Sequence, residues 1–210
     1  MNIATKLHVK LVHRGRVEVL AEEIAALLPR DATVLDVGSG DGLLAVEVMR
    51  LRPDVSIDGL EVMARPNAHI PVRIFDGHAI PAADGEYDVV MIVDVLHHLN
   101  NQAELMAELA RVAKHHVVIK DHLADGFGSW PLLRFMDYIG NRHAGVALPY
   151  KYLRKSEWHT IFAGAGLTIG AWNERIQLYP WFANWLFGRR LHFCARVDPV
   201  HSASKAKSLA

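Results

Sequence analysis

The chain has 210 residues, 51% of them hydrophobic, enough to bury the core of one domain and too few for two ordinary ones. Basic and acidic residues number 23 each, so the formal net charge is zero and nothing favours broad electrostatic attachment to nucleic acid. A single cysteine, Cys194, excludes an internal disulfide, no secretory leader pattern opens the chain, and a cytoplasmic protein is expected. No apolar run approaches the ~20 residues that span a bilayer. The 13 histidines repeat no structural zinc spacing, so no metal is expected.

In chain order, Arg14 and Arg16 precede a helix over 17–28, where Val17, Leu20, Ile24, Leu27 and Leu28 form one apolar stripe ending before Pro29. The two arginines are placed to reach a carboxylate of a ligand, although exposed arginines are common. A strand over 33–37 feeds a helix over 43–51, closed by Pro53. Strands follow near 55–61, 71–75, 87–94 and 115–121, with continuous apolar stretches such as Val89 to Val93, as expected when helices cover both sheet faces. Leu105, Leu109 and Val112 face inward from a helix over 101–113. Ser156 is the expected N-cap of a helix through Ala163, stopped by Gly164 and Gly166. Two last strands lie near 167–172 and 190–197. Alternation of strand and helix predicts an α/β fold with a doubly wound, mostly parallel sheet. Residues 1–200 form one expected domain, and the Ser-, Ala- and Lys-containing tail 201–210 is expected to be disordered.

Residues 34–42, Val34-Leu35-Asp36-Val37-Gly38-Ser39-Gly40-Asp41-Gly42, run an apolar strand into a loop that alternates glycine with acid. A glycine loop before a helix usually receives a phosphate. Asp36 and Asp41 would repel a pyrophosphate, whereas a cofactor with a sulfonium, an ammonium and ribose hydroxyls suits them. Three further segments follow in order: Val55 to Glu61; Phe75-Asp76-Gly77-His78-Ala79-Ile80-Pro81; and Tyr87 to Leu99, which contains Asp94-Val95-Leu96-His97-His98.

With these four segments the chain resembles the class I S-adenosylmethionine-dependent methyltransferases, the small single-domain bacterial kind, over residues 15–197. The resemblance implies a seven-stranded Rossmann-like sheet with an antiparallel last strand. It also implies S-adenosylmethionine as cofactor and S-adenosylhomocysteine as product. Asp36, Gly38, Ser39, Gly40, Asp41 and Gly42 would hold the methionine part, Glu61 with Val62 the ribose, and Asp76, Gly77 and His78 the adenine side. Asp94 and Val95 would lie under the cofactor. The bland alternatives are helix capping or solvation for Asp36 and Glu61, an Asx turn for Asp76 and a strand-closing turn for Asp94. One departure from the family is Ala113-Lys114-His115-His116, where many relatives carry a proline and glycines.

Methyl transfer is an in-line displacement that depends on positioning and exclusion of water. A protic acceptor also needs a base, and histidine titrates in the useful range. His97 and His98 after the fourth strand, and Asp121 and His122 at the fifth, are the catalytic candidates, each with a loop-bonding or packing alternative. Adjacent strand residues point to opposite faces, so Asp121 and His122 do not constitute a dyad by sequence.

Residues 122–155 mix aromatic and hydrogen-bonding groups rather than the composition of a buried helix. As the segment leaving the fifth strand, this is the expected substrate lid, with Trp130, Arg134, Tyr138, Asn141, His143 and Tyr150 as substrate-binding candidates. The aromatic stretch 179–190 reads either as a connection tucked against the sheet or as a membrane-surface or dimer patch. The expected function is methyl transfer to a small or lipid-like acceptor, by a monomer or homodimer. Two alternatives remain: a nicotinamide-dependent oxidoreductase, opposed by the G-x-G-x-G spacing and Asp41, and a non-catalytic cofactor-binding module.

Overall fold

The computed structural model describes residues 15–141, 149–179 and 190–200, with only the backbone for 139–141. Seven strands form one sheet: β1 (Thr33–Val37), β2 (Ser56–Glu61), β3 (Val72–Ile74), β4 (Tyr87–Val93), β5 (Ala113–His122), β6 (Leu167–Asn173) and β7 (His192–Pro199). Their order is β3-β2-β1-β4-β5-β7-β6, and β7 runs antiparallel to both β5 and β6 while the other pairings are parallel. Every expected strand is present, its ends within two residues of those read from the sequence.

Consecutive strand residues divide between two cores. Val34, Val89, Met91 and Val118 meet α1 (15–25) and α2 (Leu43–Leu51) on one face. Leu35, Val90, Ile92 and Val117 meet α3 (Gln102–Val112) and α5 (Lys155–Gly164) on the other. The period of two along each strand therefore feeds two helix layers, which is why the central strands read as unbroken apolar runs.

Three expectations need correction. Helix α1 ends at residue 25, not 28. Pro29 drives Leu28 out of the helical region, the Leu27 and Leu28 N–H groups tighten onto carbonyls three residues back, and the Arg52 guanidinium donates to the carbonyls of Ala25, Leu28 and Pro29 at 3.0, 2.8 and 2.7 Å. The N-cap of α5 is Arg154, not Ser156, because Glu157 in the first turn reaches back to accept the Arg154 N–H at 2.7 Å. The segment 122–155 contains a regular helix, α4 (Ser129–Asn141): Leu133 and Asp137 face inward while Trp130, Phe135 and Tyr138 face outward, so an aromatic composition hid an amphipathic period. The tail 201–210 and residues 180–189 lie outside the described residues. Among the described residues no helix is long and apolar enough to cross a membrane.

Candidate active site

Strand order reverses between β1 and β4, so a crevice opens above their carboxyl ends, where β1 gives way to the glycine loop and β4 to Asp94. Two cavities meet there. One, of about 600 Å³, is lined by Glu61, Val62, Gly77 and Val95 among others. The other, of about 370 Å³, lies between α1 and α4 and is lined by Arg16, Asp36, Ser39, His97, His122 and Asp137 among others. Gly38, Gly40, Asp41, Val93, Asp94 and His98 line both, so anything held at this junction is shared by the two spaces.

The loop's backbone donors are turned inward. Gly38 and Ser39 donate to the Leu60 carbonyl at 2.7 and 3.3 Å, Gly40 to Glu61 Oε2 at 3.0 Å, Gly42 to the Ser39 carbonyl at 2.9 Å, and Leu43 to Asp41 Oδ1 at 3.1 Å. A pyrophosphate site needs such N–H groups aimed at the ligand, and here the protein has consumed them. What the loop offers instead are oxygens. Glu61, accepting from Gly40 and from its neighbour Val62 at 2.8 Å, has lone pairs left for hydroxyls. Ser39 Oγ is buried without a hydrogen-bond partner among the described residues. Gly40, at φ +59°, would carry a Cβ into open cavity space, and a Cβ on Gly38 would collide with the Val95 side chain.

Charge is matched in two clusters beside the smaller cavity. Asp94, at φ 56°, accepts from Lys120 Nζ through Oδ1 and from Arg16 at 2.5 Å through Oδ2. Burial alone would raise its carboxyl, but these two cations hold it well below the usual carboxylate range. His97 stands between carboxylates of two elements: Nδ1 is 2.7 Å from Asp121 Oδ1, and Nε2 is 3.4 Å from Asp137 Oδ1 on α4, an ion-pair contact longer than a hydrogen bond. Burial opposes the charge, yet the Asp121 and Asp137 carboxylates raise His97 to about 10, so it is an imidazolium. Burial and that neighbouring cation push His122 down to about 4 and lower His98 as well, so both are neutral. Asp36 is raised to about 7 by burial and by Glu61. Ligand atoms of Asp94, His97, Asp121 and His122 lie within 4.8 Å of one another. Their carboxylates already hold Lys120, Arg16 and His97, and a metal ion would have to displace these.

The sequence candidates thus separate. His97, His98 and His122 line the smaller cavity. Asp121 lies behind His97 as its counter-ion, and it also accepts the His122 N–H at 2.7 Å. Asp76 Oδ1 accepts from the His78 and Ala79 N–H groups at 2.8 and 3.1 Å, the Asx-turn alternative, while the exposed His78 contacts Asn101 at 3.2 Å. Trp130, Arg134 and Tyr138 face away from the cavity on the exposed side of α4, where Arg134 lies 5.5 Å from the Trp130 ring centroid and 4.8 Å from that of Tyr150. None of these three, nor Tyr150 beside them, lines either cavity, and the inner face of α4 presents Met136 and Asp137 to the smaller one. Arg14, His143 and the Asn141 side chain lie outside the described residues. Sequence reasoning passed over Lys120 and did not single out Asp137 or Tyr152 within the segment 122–155. A lysine directly after the apolar run Val117-Val118-Ile119, within the same strand, was a signal for the first; a lone acid on the apolar stripe of α4 was a signal for the second.

A model of the methyltransferase domain family matches residues 12–171. The chain belongs to this family. Its fold is that of the class I S-adenosylmethionine-dependent methyltransferases. A demethylmenaquinone methyltransferase of Renibacterium salmoninarum is 28% identical over 166 residues, covering 72% of this chain and 64% of the relative, so the match spans less than two thirds of that protein. An S-adenosylmethionine-dependent methyltransferase of Aquifex aeolicus superposes with a TM-score of 0.62 at 19% identity, covering 94% of this chain and 99% of the other. CalO1, a methyltransferase in calicheamicin biosynthesis in its S-adenosylhomocysteine-bound form, gives 0.63 at 19% identity, with 91% and 55% covered. The cofactor of such a methyltransferase fits what the loop supplies: oxygen acceptors, the orphaned Ser39 hydroxyl, and the open space over Gly40.

Proposed function

We propose that the protein is a cytoplasmic enzyme that methylates a small, largely apolar molecule bearing an acidic hydroxyl or enol, using the 600 Å³ cavity for S-adenosylmethionine and the 370 Å³ cavity for the acceptor. The observation that carries this reading is the junction of the two cavities at Gly38, Asp94 and His98, where donor and acceptor would meet. Bound there, the cofactor supplies an electrophilic methyl on a sulfonium.

Glu61 holds the ribose hydroxyls, with Val62 against the nucleoside and Gly77 at the adenine edge. Asp76 retains Oδ2 for the exocyclic amine, and Asp36 and Ser39 face the methionine end. On the acceptor side Val17, Leu20, Leu44 and Met136 give an apolar wall and the histidines a polar floor, which suits a ring with a hydroxyl at one edge. The acceptor of the Renibacterium relative, a demethylated quinone by its name, is of this kind.

His98 is the base. It lines both cavities, and burial beside the His97 cation keeps it neutral. It removes the acceptor proton, and the resulting oxyanion or enolate is the nucleophile. The His97 imidazolium, its ring centroid 4.0 Å from that of His98, steadies that negative charge. Parallel calorimetric titrations with S-adenosylmethionine, S-adenosylhomocysteine and NADH test the donor site. Binding of the first two and not the third is expected, and the reverse would hand the site to a nicotinamide cofactor. Turnover is then assayed with 1,4-dihydroxynaphthalene.

A further inference from the structure

His97 is faced by Asp121 and His122 from β5, Asp94 from the end of β4, His98 beside it, Asp137 from α4, and Tyr152 from the segment that leads into α5. Only Asp137 among these belongs to the helix that forms the outer wall of the acceptor cavity. Its carboxylate is buried, lines that cavity, and accepts a 2.7 Å hydrogen bond from Tyr152 Oη while Oδ1 lies 3.4 Å from His97. The inward face also carries Leu133, in a small cluster with Tyr152 and Leu191 that is separate from both main cores. Among the described residues the wall is held by this minor packing cluster and by the Asp137 contacts to His97 and Tyr152, the combination expected of a segment that opens locally.

We propose that Asp137 is a positioning residue that clamps α4 over the acceptor cavity through His97 and Tyr152, and that the same contact holds the His97 ring in place beside His98. This rests on reading the 370 Å³ cavity as the acceptor site. The clamp couples wall to chemistry, because the carboxylate that closes the wall also helps keep His97 charged.

Amide hydrogen exchange and histidine nitrogen NMR on Asp137→Asn and Asp137→Glu test this without any acceptor. In Asp137→Asn, amides of 129–138 should exchange at least about tenfold faster, the equivalent of about 1.4 kcal/mol, while the glycine loop is unchanged. His97 should lose its proton at lower pH than in the wild type, and Asp137→Glu should restore both. A residue that served packing alone would speed exchange and leave the His97 titration where it was, and that result overturns the proposal, as does unaltered exchange. Should Asp137→Asn fail to fold, Tyr152→Phe, which removes one hydrogen bond from the same carboxylate, is expected to give smaller changes in the same directions, and no change in either refutes the clamp. With 1,4-dihydroxynaphthalene, Asp137→Asn should raise KM at least about tenfold and leave cofactor affinity alone. Absence of turnover by the wild type with any acidic hydroxyl compound would remove the acceptor reading while exchange and titration still decide the clamp.

Discussion

Gly40 donates its N–H to Glu61 Oε2 at 3.0 Å, which ties the glycine loop after β1 to the acid that ends β2. The acid therefore has two tasks, to fix the loop and to present oxygens to a ligand. Glu61→Ala should weaken S-adenosylmethionine binding by about 1–3 kcal/mol, the cost of lost acceptors and of unpaired Gly40 and Val62 donors. Asp36→Ala should fall in the same range. Calorimetry decides, and unchanged affinity in both variants would refute the site.

Asp36 is held near 7 against an ordinary value near 4, so across the interval between them the folded protein keeps a proton that the unfolded chain releases. Stability contributed by this group therefore falls as pH rises from about 4 to 7. A cationic ligand prefers the ionised carboxylate, so S-adenosylmethionine affinity should rise with pH through about 7. Asp36→Asn should flatten that rise, and calorimetry from pH 6 to 8 would show it.

Lys120 is fully buried, and its ammonium is matched by Asp94. Asp94→Asn strands that charge together with Arg16 and should cost about 3–5 kcal/mol of stability. Lys120→Met, which removes the buried charge while Arg16 still pairs with Asp94, should cost clearly less. Chemical denaturation of the two variants makes the comparison, and equal losses would count against an ion-pair origin.

His98→Ala should lower kcat by about 10²–10⁴-fold, the usual worth of a general base, with cofactor affinity within about twofold of wild type. The assay is single turnover with 1,4-dihydroxynaphthalene. A wild-type rate in the variant would move the base to His122, the other neutral histidine in that cavity.

Much of this was legible in the chain. The run Val89 to Val93 announced a strand covered on both faces, and the loop Gly38 to Gly42 with its acids announced the class of cofactor, because strand period and loop charge are local properties. The doubly wound sheet followed from the alternation of strands and helices. The antiparallel β7 came only with the family resemblance, since nothing in its apolar pattern encodes direction.

The smaller cavity was legible in part. His97, His98 and His122 were named from the sequence, whereas the composition of Trp130, Arg134 and Tyr138 gave no hint of which side of their helix faced the cavity. Helix α4 put them outside and Asp137 inside. Asp121 and His122 stand next to each other in the chain, yet Asp121 serves His97, 24 positions earlier.

The sequence by itself determined the elements, their alternation and the acid-rich loop, because each depends on neighbours within a few residues. The tertiary structure alone decided which histidine is charged. That depends on carboxylates brought in from β5 and α4, and in a buried site their distance of a few ångströms outweighs the intrinsic pKa that His97, His98 and His122 share.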